Sequence, residues 1–450
     1  HGSVCEDYSA IRCPVMAVSG WADGYSNAVF RMVENLEATC HGLVGPWSHR
    51  YPHYGEPGPA IGFLQEVVRW WDHWLKGEDR GIGDDPALRV WMQDSMPPST
   101  YYDERPGRWV AEERWPSPGV GARVFKLAPL ALAPAGKEVE ELELVDQSPL
   151  RHGLYAGKWC SYAAPPDLPG DQREEDGGAL VFDSPPLEED LEILGAPELE
   201  LELSVDRPVA MVAARLSDIR PDHKATRVTY GVLNLTHRES HEHPEPLEPG
   251  RRYRVKIRLN HVAHAFPAGH RLRIAVSTSY WPLAWPSPEL VRLTLVTGRS
   301  VLRLPERPPR EEDARLRPFG EPESSPPAAV TYLRQPTGAW EVTRDLATDM
   351  STLEVRDDRG TRVLEEIGTE VEEGVVERYS VCDDDLRSLK GEVWWVYAMR
   401  RGEWDIRTET YTRLTSNATS FLLHARLDAY EGERRIYSRN WDEEIPRDLV

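Results

Sequence analysis

Several features are absent or scarce in this 450-residue chain, and each one excludes a class of protein. There is no apolar run of about 18 residues and no basic-then-apolar amino-terminal stretch, so the sequence predicts neither a transmembrane helix nor an export signal. Basic residues are also outnumbered, because the chain has 53 Lys and Arg against 75 Asp and Glu. The net charge of −22 would repel nucleic acid and anionic membranes, and no glycine-rich nucleotide loop is complete. We therefore expect no nucleic-acid partner, no membrane partner and no cofactor.

Cysteine is scarce as well. The five cysteines are odd in number and widely scattered, which is typical of reduced thiols in a cytoplasmic protein and not of a disulfide framework. Cys13 and Cys40 stand at the starts of two predicted strands, where free cysteine is usually a buried packing residue. Hydrophobic residues make up 40% of the chain, which is sufficient for the cores of about two to four domains.

Two short strands with polar loops behind them can be read near the amino terminus. Residues 15–18 are apolar and predict a buried strand that ends in a loop carrying Asp23. Residues 41–44 predict a second strand, which stops before Pro46 because proline offers no amide to a central ladder. The loop after this second strand carries His49.

The connection between these strands predicts a helix. Ser26 can cap it, and Val29, Val33 and Leu36 recur at three- and four-residue intervals, so one face is apolar. A strand, a crossover helix and a strand make a parallel pair, whose functional groups lie in loops beyond the carboxyl ends of the strands. An acid followed by a histidine in successive loops is the order in which α/β-hydrolases complete a catalytic triad.

Three motifs carry a family resemblance: Gly20-Trp-Ala-Asp-Gly-Tyr25, Gly45-Pro-Trp-Ser-His49 and Trp70-Trp-Asp-His-Trp-Leu-Lys-Gly77. In them the chain resembles the cocaine-esterase-like (CocE/NonD) hydrolases, which are related to X-Pro dipeptidyl-peptidases. The resemblance implies a serine hydrolase that cleaves a small-molecule ester or amide, or a peptide, through an acyl-enzyme. It implies that Asp23 is the triad acid and that His49 is the general base.

The nucleophile motif of that family is missing. No Gly-x-Ser-x-Gly occurs in the 450 residues, and in the family this serine and its oxyanion hole lie upstream. We therefore expect a carboxyl-terminal portion of such a hydrolase, whose partner is the missing amino-terminal half and which is inactive alone. Tyr25 and Trp47 flank the two catalytic loops and are candidate substrate-binding residues, although aromatic packing alone explains them equally well.

Composition and pattern divide the chain into four segments, and the predicted fold class is α/β plus β. Residues 1–120 are interpreted as the carboxyl-terminal part of an α/β-hydrolase domain. Residues 121–305 carry regular short strands with turn signals, which favours an antiparallel sandwich, and by resemblance this is the family's jelly roll. Residues 306–327 have a linker composition rich in Pro, Glu and Arg, and residues 328–450 predict a small antiparallel β domain.

Several local predictions concern packing and turns. Residues 61–76 predict a helix ending at Gly77, whose apolar stripe should face the core. The stripe consists of Phe63, Val67, Trp70, Trp71 and Trp74. The bulky loop at residues 280–285 is expected to seal a domain interface more readily than to line a pocket. Three hairpins are predicted in the last segment, with turns at residues 357–360, near 401–402 and at 431–433.

Histidine clusters give little support for a metal site. His49 and His53 have the spacing of two zinc ligands on a helix, and His41 could add a third, but Pro52 and its neighbours predict a loop. We therefore predict no metal. A second cluster lies in a charged loop, where solvated histidines are expected: His237, His241 and His243.

Two alternatives to a hydrolase fragment stay open. The chain could be a noncatalytic binding or assembly module, with Asp23 and His49 as ordinary loop residues. It could also be one half of a two-chain hydrolase whose serine is encoded separately. The aromatic-rich β domains are compatible with a homodimer. The gene sequence upstream of residue 1 distinguishes these cases.

Overall fold

The computed structural model describes residues 4–162 and 166–450. Over these ranges the chain is mostly β-sheet: one large curled sheet of 17 strands is followed by a separate sheet of 8 strands. Helices are few and short. In the described part of the chain, no helix combines the length and the apolarity that crossing a lipid bilayer requires.

The large sheet begins with a parallel part made of three strands, β1 (Val15–Gly20), β2 (Cys40–Gly45) and β3 (Leu88–Asp94), to which β4 (Gly107–Glu112) adds an antiparallel neighbour. In β1 and β2, Gly20 lies opposite Gly45, so both strands end at the same level. The predicted strand, helix and strand are confirmed, whereas β3 is a third parallel strand that the sequence did not indicate. We call residues 15–112 the parallel corner.

The three α-helices are α1 (Ser26–Asn35), α2 (Phe63–Lys76) and α3 (Arg173–Asp176). Helix α1 crosses from β1 to β2 and buries Val29 and Phe30. Ser26, predicted as its cap, is instead the first helical residue, and no side chain caps this end. Helix α2 ends as predicted at Gly77, whose φ of 71° lies in the left-handed region that glycine adopts without strain.

The tryptophans of α2 do not all face the core. Of the predicted stripe, Phe63 and Trp70 are buried and Val67 is half-buried, whereas Trp71 and Trp74 are exposed, so the prediction is wrong for two of the five. Consecutive residues are about 100° apart around a helix, so one face cannot bury both Trp70 and Trp71. Exposed apolar side chains recur along α2 at helical spacing, and they are Leu64, Val68, Trp71 and Leu75.

Thirteen further strands complete the large sheet: β5 (Gly121–Ala128), β6 (Ala131–Pro134), β7 (Glu143–Asp146), β8 (Leu180–Asp183), β9 (Leu191–Gly195), β10 (Glu198–Val205), β11 (Met211–Ile219), β12 (Ala225–Asn234), β13 (Tyr253–Arg258), β14 (Val262–Phe266), β15 (Arg271–Ser277), β16 (Leu293–Val296) and β17 (Val301–Glu306). They form the main core, in which Leu199, Leu201 and Leu203 of β10 are buried at every second position. The predicted antiparallel strands are confirmed. Strand β14 lies parallel to β3, with His264 opposite Gln93, so the corner and these strands are continuous.

Within residues 306–327, the segment with a linker composition, residues 307–320 are held on the corner by ion pairs, whereas residues 321–327 are exposed. Arg307 is buried, and its guanidinium lies 2.7 Å from a carboxylate oxygen of Glu112 and 2.8 Å from one of Asp313. Buried charges require partners, so the arginines and acids of this segment form ion pairs against the corner instead of a solvated tether. We call residues 307–320 the strap.

Eight strands form the second sheet: β18 (Val330–Arg334), β19 (Thr337–Asp345), β20 (Met350–Leu364), β21 (Thr369–Cys382), β22 (Lys390–Arg401), β23 (Trp404–Ser416), β24 (Ser420–Glu431) and β25 (Arg434–Pro446). The predicted turns at residues 401–402 and 431–433 are confirmed. The predicted turn at residues 357–360 is wrong, because β20 runs through it with a bulge between Asp358 and Thr361. A bulge inserts a residue without ending the pairing, and strands on both sides keep β20 extended.

The second sheet docks through the aromatic loop at residues 280–285, as predicted. The rings of Trp281 and Tyr379 meet edge to face, with 6.1 Å between centroids. Those of Trp285 and Phe421 do the same at 5.8 Å. Aromatic anchors of this kind are common at interfaces, and these fix the second sheet against the first.

Candidate active site

Asp23 and His49 meet beyond the carboxyl ends of β1 and β2. The distance between Asp23 Oδ2 and His49 Nδ1 is 3.2 Å. Adjacent parallel strands end at one edge of a sheet, which is why loops 26 residues apart come together. The Asp23 side chain is 9% exposed and the His49 side chain 44%. The carboxylate is therefore held inside the protein, while the imidazole faces solvent.

Three donors besides His49 orient the Asp23 carboxylate. The Ser19 hydroxyl donates to Oδ2 at 3.1 Å, and the Tyr25 amide donates to Oδ1 at 3.0 Å. The Cys160 thiol lies 3.6 Å from Oδ1. A carboxylate fixed in this way holds the imidazole in the tautomer that carries its proton on Nδ1, which leaves Nε2 as an acceptor.

Two glycines let the loops that carry Asp23 and His49 approach each other this closely. A Cβ on Gly20 would lie 1.9 Å from the Trp47 carbonyl oxygen, and one on Gly45 would lie 2.5 Å from the Trp47 ring. The loops are joined by backbone hydrogen bonds, from the Trp21 amide to the Gly45 carbonyl at 2.9 Å and from the Ala22 amide to the Trp47 carbonyl at 3.1 Å. Larger residues at either glycine would separate the acid from the base.

A loop between β7 and α3 completes the site, and the sequence analysis missed it. The His49 amide donates to the Ser161 carbonyl at 2.7 Å, and the Ser161 amide donates to the Ala22 carbonyl at 3.0 Å. Ser161 thus joins the loops that carry Asp23 and His49, beside the Cys160 thiol. No signal in the sequence could have found this contact, because it joins segments more than a hundred residues apart. We call residues 157–162 the site loop.

The two predicted substrate-binding aromatics lie in different surroundings. Tyr25 is exposed, and its ring centroid is 5.7 Å from that of His49 and 5.2 Å from that of Trp159. Trp47 is only 1% exposed, and its Nε1 donates to the Pro59 carbonyl at 2.9 Å. Tyr25 can therefore contact a molecule beside His49, whereas the burial of Trp47 favours the packing alternative.

The described residues contain one group of three metal-ligating atoms within 4.8 Å of one another, from Asp23, His49 and Cys160. A cation there would replace hydrogen bonds that these atoms already make. Burial raises the pKa of the Cys160 thiol, which favours the protonated form that binds metals poorly. His41 and His53, considered from the sequence, do not belong to this group.

A cavity of about 130 Å³ lies behind Asp23, between the corner and the antiparallel strands. His261 and Tyr230 line it. Burial lowers the pKa of His261 to about 3 and raises that of Tyr230 to about 12. Both side chains are therefore neutral near pH 7, and neither places a charge beside the Asp23–His49 pair.

Comparison with known families agrees with this geometry. Residues 81–318, just over half of the chain, match the family described as the X-Pro dipeptidyl-peptidase C-terminal non-catalytic domain. The chain belongs to this family. Residues 1–51, which hold Asp23 and His49, match the X-Pro dipeptidyl-peptidase (S15) family. The resemblance to CocE/NonD hydrolases and X-Pro dipeptidyl-peptidases that the three motifs indicated is confirmed.

Individual relatives are distant. A putative serine esterase of Mycobacterium bovis is 25% identical over 303 residues, covering 60% of this chain and 46% of that protein. Cocaine esterase of Rhodococcus sp. is 24% identical over 307 residues, covering 62% and 51%. A CocE/NonD family hydrolase from Staphylococcus aureus superposes with a TM-score of 0.52 at 16% identity, covering 67% of this chain and 55% of that one, which shows the fold alone. The chain spans about half the length of the curated relatives that it matches.

Proposed function

We propose that this chain supplies the acid and the general base of a serine hydrolase that cleaves an ester or amide through an acyl-enzyme. The observation that carries the proposal is the 3.2 Å contact between Asp23 Oδ2 and His49 Nδ1. The order of acid and histidine along the chain fits an α/β-hydrolase triad. The family match and the serine esterase and cocaine esterase among the relatives support the same class of reaction.

In this mechanism His49 Nε2 takes the proton of a serine hydroxyl while the serine oxygen attacks the substrate carbonyl carbon. Asp23 accepts the Nδ1 hydrogen bond and stabilises the imidazolium. His49 then gives the proton to the departing alcohol or amine as the C–O or C–N bond breaks, which leaves an acyl-serine. Water, deprotonated by the same nitrogen, hydrolyses the acyl-serine and restores the free hydroxyl.

The serine is proposed to come from outside these 450 residues, because they contain no Gly-x-Ser-x-Gly. Within the described ranges β1 pairs with β2 alone, so its other edge offers unpaired backbone groups. A strand added there would continue the parallel sheet and bring its following loop to the edge that carries Asp23 and His49. Either a longer chain or a second subunit could supply it.

The domain boundaries form part of the same proposal. Residues 1–120 would be the carboxyl-terminal part of the hydrolase domain, residues 121–305 a jelly roll that closes one side of the cleft, and residues 328–450 a separate β domain. The site loop supports this role for the jelly roll, because Ser161 binds both catalytic loops through its backbone.

Ester hydrolysis by the full-length reading frame tests the assignment of the two residues. His49→Ala and Asp23→Asn should each lower kcat by roughly three to four orders of magnitude, since the first removes the base and the second favours the wrong tautomer. His53→Gln, a change at a nearby loop histidine outside the pair, should keep the wild-type rate. If both site variants kept wild-type rates, a noncatalytic module would be the better account.

A serine-directed fluorophosphonate probe tests where the nucleophile lies. The 450 residues expressed alone should form no adduct and should not hydrolyse p-nitrophenyl acetate. An adduct mapped by mass spectrometry to any serine of this chain would contradict the proposal that the nucleophile comes from elsewhere.

A further inference from the structure

A groove of about 1000 Å³ runs from His49 to the second sheet. The side chains of Arg50, Lys158 and Tyr162 lie on the side of the site loop, and residues of β19 to β22 form the opposite wall. Acid–base chemistry at His49 does not require a second sheet facing the imidazole. Because the groove reaches His49, it adjoins the Asp23–His49 pair, and its opposite wall offers a surface that could bind a ligand without taking part in the chemistry.

The opposite wall is one face of the second sheet. Side chains two residues apart in a strand point to the same face of a sheet, so those of residues 355 and 357 of β20 share one face. The residues directly opposite them on neighbouring strands present their side chains on that same face. Two adjoining cross-strand rows present two carboxylates, two tryptophans and two valines, and three more charged residues of β20 line the groove beside them: Arg356, Asp358 and Arg359. The side chains form two cross-strand rows, which are Trp340, Val355 and Glu377, and Asp357, Val375 and Trp395.

The three carboxylates of the wall have partners within the protein, and that of Asp358 is the Arg334 guanidinium. Glu377 Oε1 lies 2.9 Å from Lys158 Nζ, and its Oε2 accepts a hydrogen bond from the Tyr379 hydroxyl at 2.9 Å. Asp357 lies 3.5 Å from the Arg359 guanidinium. These acids are already neutralised, so the surface that a ligand would gain most from covering is apolar. The Lys158 pair also ties the second sheet to the site loop.

Aromatic side chains are exposed on both sides of the groove. Trp395 is 42% exposed on the sheet side. On the other side Tyr162 is exposed, with its ring centroid 5.2 Å from that of His49. Single exposed aromatics are ordinary, but two that face one concavity beside a candidate base match the composition of a ligand site.

We propose that this groove binds the apolar part of the substrate beyond the scissile bond. The enzyme would then prefer esters or amides whose acyl or leaving group carries an extended alkyl or aryl chain. The inference rests on the proposed function, because His49 fixes where the scissile bond lies. The second sheet becomes a specificity element that contributes no group to the chemistry.

Kinetics on short and long esters test the proposal in the full-length protein. Trp395→Ala should lower kcat/KM for p-nitrophenyl decanoate roughly tenfold, mainly through KM, and leave p-nitrophenyl acetate within about twofold. Trp404→Ala is the matched control, because Trp404 is 41% exposed on the same sheet and does not line the groove. Equal losses on both esters, or equal effects of the two variants, would overturn the proposal.

Phenethyl acetate shows which part of the substrate the groove holds. A selective loss with p-nitrophenyl decanoate in Trp395→Ala places the acyl chain in the groove, and one with phenethyl acetate places the leaving group there. Either result supports an apolar site. If neither long substrate responds more than p-nitrophenyl acetate, the groove is not a substrate site.

Calorimetric titration with benzylacetone separates this proposal from the triad assignment, because the ketone has no hydrolysable bond. Wild type and Trp404→Ala should bind it alike, and Trp395→Ala roughly tenfold more weakly. That result would uphold the groove even if His49→Ala hydrolysed esters at the wild-type rate. Unchanged affinity in Trp395→Ala, or no binding by the wild type, would overturn the groove and leave the triad assignment intact.

Discussion

The parallel corner and the second sheet face the same groove but are built from different kinds of contact. The corner is held by partners distant in the chain, such as the Gln93 side chain and the Ala263 carbonyl, which are 170 residues apart. In the second sheet, β21 to β25 pair in chain order, and the outermost of these strands, β25, is largely exposed. Local pairing can be read from sequence, whereas the position of the Asp23–His49 pair against the second sheet depends on long-range packing.

The largest expected difference between the two regions comes from removing the buried ion pairs that hold the strap on the corner. Arg307→Met would remove the buried guanidinium from Asp313 and leave Glu112 with Arg310 alone, 2.9 Å away, which should cost about 3 kcal/mol of unfolding free energy. Because the strap packs on the corner, hydrogen exchange should become faster in residues 15–45. It should stay unchanged in residues 369–446, whose strands pair with one another.

Arg315→Met is the matched control for this measurement. Arg315 lies in the same segment, is exposed, and has a partner carboxylate 3.8 Å away on Glu311. An exposed pair of this kind contributes at most about 1 kcal/mol. If Arg307→Met accelerated exchange equally in both regions, or no more than Arg315→Met, the corner would not depend on the strap as we describe.

A smaller effect should follow from Gly20→Ala, which tests the close contact between two loops of the corner itself. The new Cβ would meet the Trp47 carbonyl, so the loop carrying Asp23 must move away from the loop carrying His49. We expect a loss of about 1–3 kcal/mol in stability and of roughly a hundredfold in kcat of the full-length protein. Gly83→Ala, where nothing lies within 4 Å of the new Cβ, should be neutral in both. An unchanged kcat in Gly20→Ala would contradict our account of the loop contact.

The parts of this structure that could be predicted have signals within a few residues. Apolar runs marked β1 and β2, helical spacing marked α1, and Gly77 marked the end of α2. The proximity of Asp23 and His49 followed because parallel strands end at one edge. These inferences needed only the order of elements and the rule for their connection.

The parts that could not be predicted depend on partners far along the chain. The backbone of Ser161 contacts the loops that carry Asp23 and His49, and no pattern near Ser161 in the sequence indicates this contact. The residues around Arg307 have the composition of a linker, yet ion pairs from Arg307 to the buried Glu112 and Asp313 hold this segment on the corner as the strap. Residues 357–360 can form a turn or a bulge, and only the neighbouring strands decide between them.

The seam between the corner and the antiparallel strands carries a buried histidine. The ring of His261 stacks on Phe30 with 4.2 Å between centroids, and its Nδ1 lies 3.0 Å from Asn27 Oδ1. Burial lowers its pKa from 6.5 to about 3, and the nearby charges of Arg258 and Arg31 act in the same direction. Between about pH 6.5 and pH 3, the unfolded chain therefore binds a proton at His261 that the folded protein does not bind.

The last expected effect, which is absent at neutral pH, is the pH dependence that this histidine gives to the seam. Stability should be unaffected above about pH 6.5 and should fall as the pH drops from there towards about 3, by at most about 1.4 kcal/mol per pH unit. His261→Phe should flatten this slope, measured by urea unfolding between about pH 6 and pH 4. His241→Phe, at an exposed histidine, should leave it unchanged. If the slope survived in His261→Phe, acid sensitivity would arise elsewhere, and the seam would be no weaker in acid than the second sheet.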